Sequence, residues 1–152
     1  MFRVELTHSL PAGAHALRRE VFMEEQGFVE EFDQTDRTAW HLALYQGEEA
    51  VACCRIFPDT PGVWHVGRVA VRKSSRGQGL GAAVMQAAEE AAAGMGAASL
   101  VLSAQVQAAG FYEKLGYTRQ GSVYLDEHCP HVHMEKQLVQ SEKNQRNETI
   151  CE

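Results

Sequence analysis

Positive charge is in short supply. Lysine and arginine number 14 against 20 aspartates and glutamates in 152 residues, for a formal net charge of −6. The cations are scattered and form no stripe, so nucleic acid is not an expected partner. Long apolar runs are missing too: none approaches the roughly 20 residues of a membrane span, and the first residues lack the basic-then-apolar order of a signal peptide. A cytoplasmic protein with no membrane partner is the expectation. Cysteines number four, with no Cys-x-x-Cys spacing. Cys53 and Cys54 are neighbours on an expected strand, which sends them to opposite faces as small apolar fillers. Cys129, His131 and His133 would share one face of a strand, but Pro130 interrupts the pattern and no second ligand cluster is visible, so no metal is expected. Linkers, repeats and low-complexity stretches are absent as well. One domain over residues 1–139 is expected, followed by a polar, aperiodic and mobile tail at 140–152.

Glycine is plentiful by contrast, at 13 residues, and three of these crowd one place. From Val69 the chain reads Val-Ala-Val-Arg-Lys-Ser-Ser-Arg-Gly-Gln-Gly-Leu-Gly, an apolar alternation running into a glycine turn before an alanine-rich helix. Backbone without Cβ atoms at Gly77, Gly79 and Gly81 lets consecutive N–H groups close around a phosphate, and the helix dipole adds to the attraction. Arg76 supplies a cation where a diphosphate would lie. A P-loop does not fit, since no lysine follows these glycines. A Rossmann turn does not either, since its last glycine would fall on Ala82 or Val84.

Around this turn the periodicity predicts a strand over 2–7, a helix over 14–26 with Leu17 and Val21 on one face, and an acidic loop over 28–36. A hairpin follows from 40–45 and 50–57, then a strand over 63–72. The helix over 79–93 should turn Leu80, Val84, Ala87, Ala88 and Ala91 inward. Ser99 to Ala104 reads as a buried strand. It leads to a short helix through Phe111-Tyr112-Glu113-Lys114-Leu115, stopped by Gly116, and two last strands span 118–125 and 131–138 around a turn at 126–130. The tally is an α/β domain whose mixed, mostly antiparallel central sheet has helices on both faces.

Arg76, Gly79 and Gly81 meet the pattern Gln/Arg-x-x-Gly-x-Gly/Ala, and Phe111 to Tyr117 meet Phe-Tyr-x-Lys-x-Gly-Tyr. In this order the two motifs resemble the GNAT superfamily of acyl-CoA-dependent N-acyltransferases over roughly residues 15–138. Arg18-Arg19-Glu20-Val21-Phe22, Glu25-Gln26, Asp33, Asp36, His41, Gly67-Arg68-Val69 and Pro130-His131 are similar to the bacterial ElaA/YjcF-like branch. The resemblance implies the same fold and an N-acetyltransferase in which a primary amine attacks acetyl-CoA directly in a ternary complex, with no resident metal. Arg76, Gly77, Gln78, Gly79, Leu80 and Gly81 would take the diphosphate. Val69, Ala70 and Val71 would pair with the pantetheine amides like an added strand, and a backbone N–H near Val69 would receive the oxyanion. That strand and 99–104 would splay to admit the thioester arm, aided by a bulge near Gly67-Arg68. Tyr112 would protonate the departing thiolate.

Two positions depart from the family pattern. Gln105 stands where asparagine is common, though its amide can still bond the pantetheine arm and contribute with Tyr112 to cofactor binding. Gly67 and Arg68 occupy a neighbourhood where a glutamate base is common. His65 has a suitable ordinary pKa for that role, and Glu25, Asp33 and His41 are alternatives. Arg18, Arg19, Glu25, Asp33 and Asp36 could border the acceptor site, with the acidic loop suiting a cationic small-molecule or peptide amine. The rivals are a non-catalytic acyl-CoA-binding or sensing module, favoured by the missing glutamate, and a nucleotide-binding α/β protein, which would have no need of the Phe-Tyr segment. A homodimer is left open.

Overall fold

A computed structural model describes residues 2–29 and 31–138. The expected tail at 140–152, with Cys151, lies outside the described residues. Seven strands, β1 (Phe2–Thr7), β2 (Trp40–Gln46), β3 (Glu49–Pro58), β4 (Val63–Val71), β5 (Ser99–Gln105), β6 (Thr118–Asp126) and β7 (Cys129–Gln137), form one sheet in the order β1-β2-β3-β4-β5-β7-β6. Every neighbouring pair is antiparallel except β4 and β5. The sheet is mixed and mostly antiparallel, as expected.

Helices cover both faces. On one, α1 (Ala12–Arg18) packs Ala14 and Leu17 with Val21, Phe22, Phe28, Cys53, Ala70 and Cys129. The other carries α3 (Leu80–Gly94) and α4 (Ala109–Lys114), which together with Leu42, Ile56, Leu100 and Met134 enclose the larger core. In α3 the residues facing the sheet are Leu80, Val84, Met85, Ala88 and Ala92. Ala87 and Ala91, expected inside, are half-buried. The helix lies along its i, i+4 row, so Met85 and Ala92 take their places. Each large apolar side chain buried this way contributes about 1.5–3 kcal/mol.

The first helix departs further from expectation. After Arg18 it widens into a π-helical stretch over Arg19–Glu25, closed by Gln26 N–H donating to the Val21 carbonyl at 3.1 Å. A π stretch adds one residue to a turn and is frequent at functional sites; here it ends beside the cleft. The acidic loop contains a short helix, α2 (Thr35–Thr38).

Two features of β4 position the site. It pairs with β5 only through Val63, Trp64 and His65, opposite Ser99, Leu100 and Val101. Beyond that point β4 stays with β3 and β5 with β7, so a wedge opens between them. The second feature is a bulge: Cys53 pairs with Ala70 and Arg55 with Gly67, leaving Arg68 and Val69 opposite Cys54 alone. Arg68 has φ +54°, a left-handed conformation that a residue with a side chain adopts rarely. Trp64 and Val66 before the bulge face the α3 core, as do Val69 and Val71 after it, while Ala70 faces the α1 core. The extra residue inverts the alternation.

Candidate functional site

At the open end of the wedge, α3 begins. Gly77 and Gly79 have φ +84° and +76°, which only glycine adopts without strain, and no side chain caps the helix. Gly81 brings the backbone against Phe111, whose Cζ would stand 3.1 Å from a Cβ there. Leu80 is buried and Gln78 exposed. The uncapped first-turn amides and the two left-handed glycines make a cradle of N–H groups suited to an anion. Beside it runs the edge of β4 at Val69, Ala70 and Val71, which has no strand partner on the β5 side. Strand edge and cradle line one cavity of about 500 Å³, with Val21, Phe111 and Tyr112.

Arg76 lies at this cavity, but its guanidinium is engaged: Nη1 and Nη2 each donate to Glu25 at 2.7 Å, and Nε donates to the Val71 carbonyl at 3.0 Å. The Arg76 hydrogen bond holds the Glu25 carboxyl below the usual carboxylate range. Glu25, expected at the acceptor side, thus stands with the diphosphate cradle as a fully ionised partner of Arg76, a poor proton acceptor.

A second cavity, of about 350 Å³, lies on the other side of Tyr112. The two share Gln26, Val69, Ala108 and Tyr112, and so adjoin in the wedge. Tyr112 packs edge-on against Phe111 and Tyr117. Burial pushes the pKa of its hydroxyl well above the usual phenol value. Gln105 lines the second cavity: its Nε2 donates to Gln26 Oε1 at 2.7 Å, and its own Oε1 accepts from Gln107 Nε2 at 2.7 Å. His65 enters the second cavity where β4 and β5 part, stacked on Phe57 with centroids 5.1 Å apart. Its Nε2 donates to Asp59 Oδ2 at 3.0 Å, which leaves Nδ1 as the basic nitrogen.

Arg18 requires a correction. It is about 1% exposed, and its guanidinium is spent on Glu31 and Asp36. It cannot touch an acceptor. The pairs continue: Glu31 and Asp33 both meet Arg68, Asp33 and Asp36 both meet Arg55. Three arginines and three carboxylates alternate in a closed ring, Arg18-Glu31-Arg68-Asp33-Arg55-Asp36. Burial works to raise the Asp36 pKa, but the Arg18 hydrogen bond and charge reverse this and hold it far below the usual range. The Arg55 hydrogen bond lowers Asp33 likewise. Asp33 therefore stands as an ion-pair partner, and the loop's Glu31, Asp33 and Asp36 are neutralised from within. His41, a candidate base, is buried behind the ring with Nε2 donating to the Asp36 carbonyl at 2.9 Å; burial lowers its pKa.

Sequence reasoning missed several groups that the structure assembles. Arg55, Arg68, His131 and Asp126 line the second cavity. His131 Nδ1 donates to the Cys129 carbonyl at 2.9 Å, while His133 is exposed and stacks on Tyr124. Arg55 and Arg68 carried no local signal, because the carboxylates that hold them come from a segment 19 to 37 residues earlier. Among the described residues, no helix is long and apolar enough to cross a membrane, and no group of three or more His, Cys, Asp or Glu side chains is arranged to hold a metal ion.

A family model for the acetyltransferase (GNAT) domain matches residues 11–138. The uncharacterized N-acetyltransferase YjcF of Bacillus subtilis (strain 168) is 38% identical over 126 residues, covering 81% of this chain and 89% of its own length. Escherichia coli ElaA matches with a TM-score of 0.82 at 26% identity, over 90% of this chain and 100% of that one. An acyl-CoA N-acyltransferase from Pseudomonas aeruginosa matches with a TM-score of 0.80 at 27% identity, over 90% and 99%.

Proposed function

The chain belongs to the GNAT acetyltransferase family, in the branch of ElaA and YjcF, and from that premise we propose that it moves an acetyl group from acetyl-CoA to a primary amine by direct attack. Acyl transfer is the family's chemistry. One observation carries the finer reading: the amide cradle at α3 and the unpartnered edge of β4 line one cavity, and a second cavity adjoins it at Val69 and Tyr112. Together they accommodate a long anionic thioester from one side and an acceptor from the other.

In this mechanism the Gly77–Gly81 amides hold the diphosphate and Arg76 closes over it from its seat on Glu25. The peptide groups of Val69 to Val71 align the pantetheine, and the Gln105 amide bonds the arm from the opposite wall. The amine nitrogen attacks the thioester carbonyl carbon, and the oxygen becomes an oxyanion held by a backbone N–H near Val69. His65 Nδ1 takes the amine proton, with Asp59 fixing the ring and supporting the imidazolium. As the C–S bond breaks, Tyr112 gives its proton to the thiolate; its raised pKa keeps that proton in place at neutral pH. A proton moving from His65 to Tyr112 through solvent restores the starting state. The domain assignment to residues 1–139 accompanies this reading.

The test is CoA release from acetyl-CoA across a panel of amines, with wild type beside His65→Gln. Amine-dependent release that His65→Gln reduces at least tenfold, most strongly below pH 8, supports the reading. Tight acetyl-CoA binding with no turnover on any amine would instead identify an acyl-CoA-binding module.

A further inference from the structure

We infer that the acceptor carries a carboxylate, recognised by Arg55 and Arg68 in the second cavity; the inference deepens the acetyl-transfer reading and rests on it. Among the described residues, Arg55 Nε is the single buried side-chain nitrogen or oxygen with no hydrogen-bond partner. Arg55 is about 5% exposed and is among the residues that line this cavity. A buried guanidinium N–H left without an acceptor is destabilising, and ordinary folded proteins rarely tolerate one unless a ligand or ordered water completes it.

Arg68 points the same way. Its Nε meets Glu31 at 3.0 Å and its Nη2 donates to Asp33 Oδ2 at 3.3 Å, while Nη1 donates to nothing among the described residues. Arg55 Nη2 donates to the same Asp33 oxygen at 3.2 Å, so one carboxylate holds the two guanidiniums side by side. The left-handed backbone at Arg68 is strained, and such strain persists where the surrounding contacts over-determine it. Here those contacts are the ring's carboxylates, which fix Arg68 at the cavity wall one residue from Val69, where the thioester would lie.

The ring also explains why a purely cationic acceptor fits poorly. Glu31, Asp33 and Asp36 are each matched by two arginines, so no carboxylate among the described residues of the acidic loop is left over to attract an amine. Asp126 and Glu127 line the opposite wall at the β6–β7 turn, and Glu127 Oε1 already accepts the Val29 N–H at 3.0 Å. The cavity is therefore dipolar, with arginines on the β3–β4 wall and carboxylates at the turn. An amine bearing a carboxylate, the amino-acid class, complements both walls.

The experiment compares each amino acid with the amine that remains when its carboxylate is removed, such as phenylalanine with phenethylamine and leucine with 3-methylbutylamine. Expected is a kcat/KM at least tenfold higher for the carboxylate member of the best pair, carried by KM. Arg55→Lys, which keeps a cation for Asp33 and Asp36 but loses the Nε donor, should abolish the preference while leaving acetyl-CoA affinity unchanged. Should Arg55→Lys fail to fold, Arg68→Gly, whose residue adopts a φ of +54° freely, is the second variant. Calorimetry with the N-acetylated pair members on the CoA-saturated protein reads the same preference without turnover, so a dead enzyme would overturn the acetyl-transfer reading and still test the carboxylate. Equal binding and equal turnover of both pair members, or a preference that survives both variants, would overturn the inference.

Discussion

Arg18→Met replaces the most buried member of the ionic ring with a side chain of similar length and no charge. The wild-type guanidinium donates four hydrogen bonds, to Glu31 Oε2, the Glu31 carbonyl and both Asp36 oxygens, at 2.7–3.1 Å. The carboxylates left behind are 4% and 9% exposed, so water cannot replace the lost partner. Removing one half of a buried ion pair costs about 3–5 kcal/mol. Arg68 and Arg55 still neutralise part of Glu31 and Asp36, which places the expected loss near 3 kcal/mol, the lower end of that range. For a domain of this length each kcal/mol moves Tm by about 2–4 °C, so the variant should melt about 6–12 °C below wild type at pH 7. Circular dichroism melts, with urea unfolding as a second measure, provide the assay. A Tm within 2 °C of wild type, especially with a raised KM for the acceptor amine, would refute the structural role and return Arg18 to the substrate site.

Gly79→Glu should weaken CoA binding at least tenfold by calorimetry, since a side chain at φ +76° strains the cradle and its charge repels a diphosphate. Tyr112→Phe keeps the ring packing and removes the proton, so turnover should fall by roughly 10- to 1000-fold while acetyl-CoA affinity holds; an unchanged rate would assign the proton to another donor. Cys53 and Cys54 should resist a disulfide reagent in the native protein and react only on unfolding, because burial pushes the Cys53 thiol up to about 12 and Cys54 up as well. His41 has a folded pKa below its unfolded one, so its contribution is complete above about pH 6.5 and is lost as pH falls further; Tm should drop more steeply from pH 6.5 to 5 in wild type than in His41→Asn.

The parts of the site legible in the sequence are those whose chemistry is local. The glycine cradle declares itself because its left-handed glycines and uncapped amides lie within one short segment, and Tyr112 stands in a motif closed by a helix stop at Gly116. The splaying of β4 from β5 is implied by the family resemblance, with a bulge near Gly67-Arg68 expected to aid it, and the structure has both. Arg18 read as a residue of the acceptor site because nothing within a turn of it reveals Glu31 and Asp36, which reach it only after the chain has doubled back. The pairing of Glu25 with Arg76 was hidden for a related reason: the partners lie 51 residues apart, and a 3.6-residue period carries no sign of the π stretch over 19–25. Arg55 and Arg68, on neighbouring strands, become a pair only through Asp33.

The bulge in β4 has a bearing on how this chain can change over time. Its single surplus residue acts on the strand as a frameshift acts on a reading frame, since every side chain downstream keeps its neighbours in order but changes the face on which it is read. Substitutions along Val69 to Val71 are local events, tolerated according to size. Loss of one residue at Arg68 would leave Val69, Ala70 and Val71 on their present faces opposite Cys54, Cys53 and Ala52, but would take the left-handed bend and the guanidinium away from the wedge. Length variation among descendants should therefore gather in the β2–β3 and β6–β7 turns, while the count of residues between Val63 and Gly81 stays constant even where their identities drift.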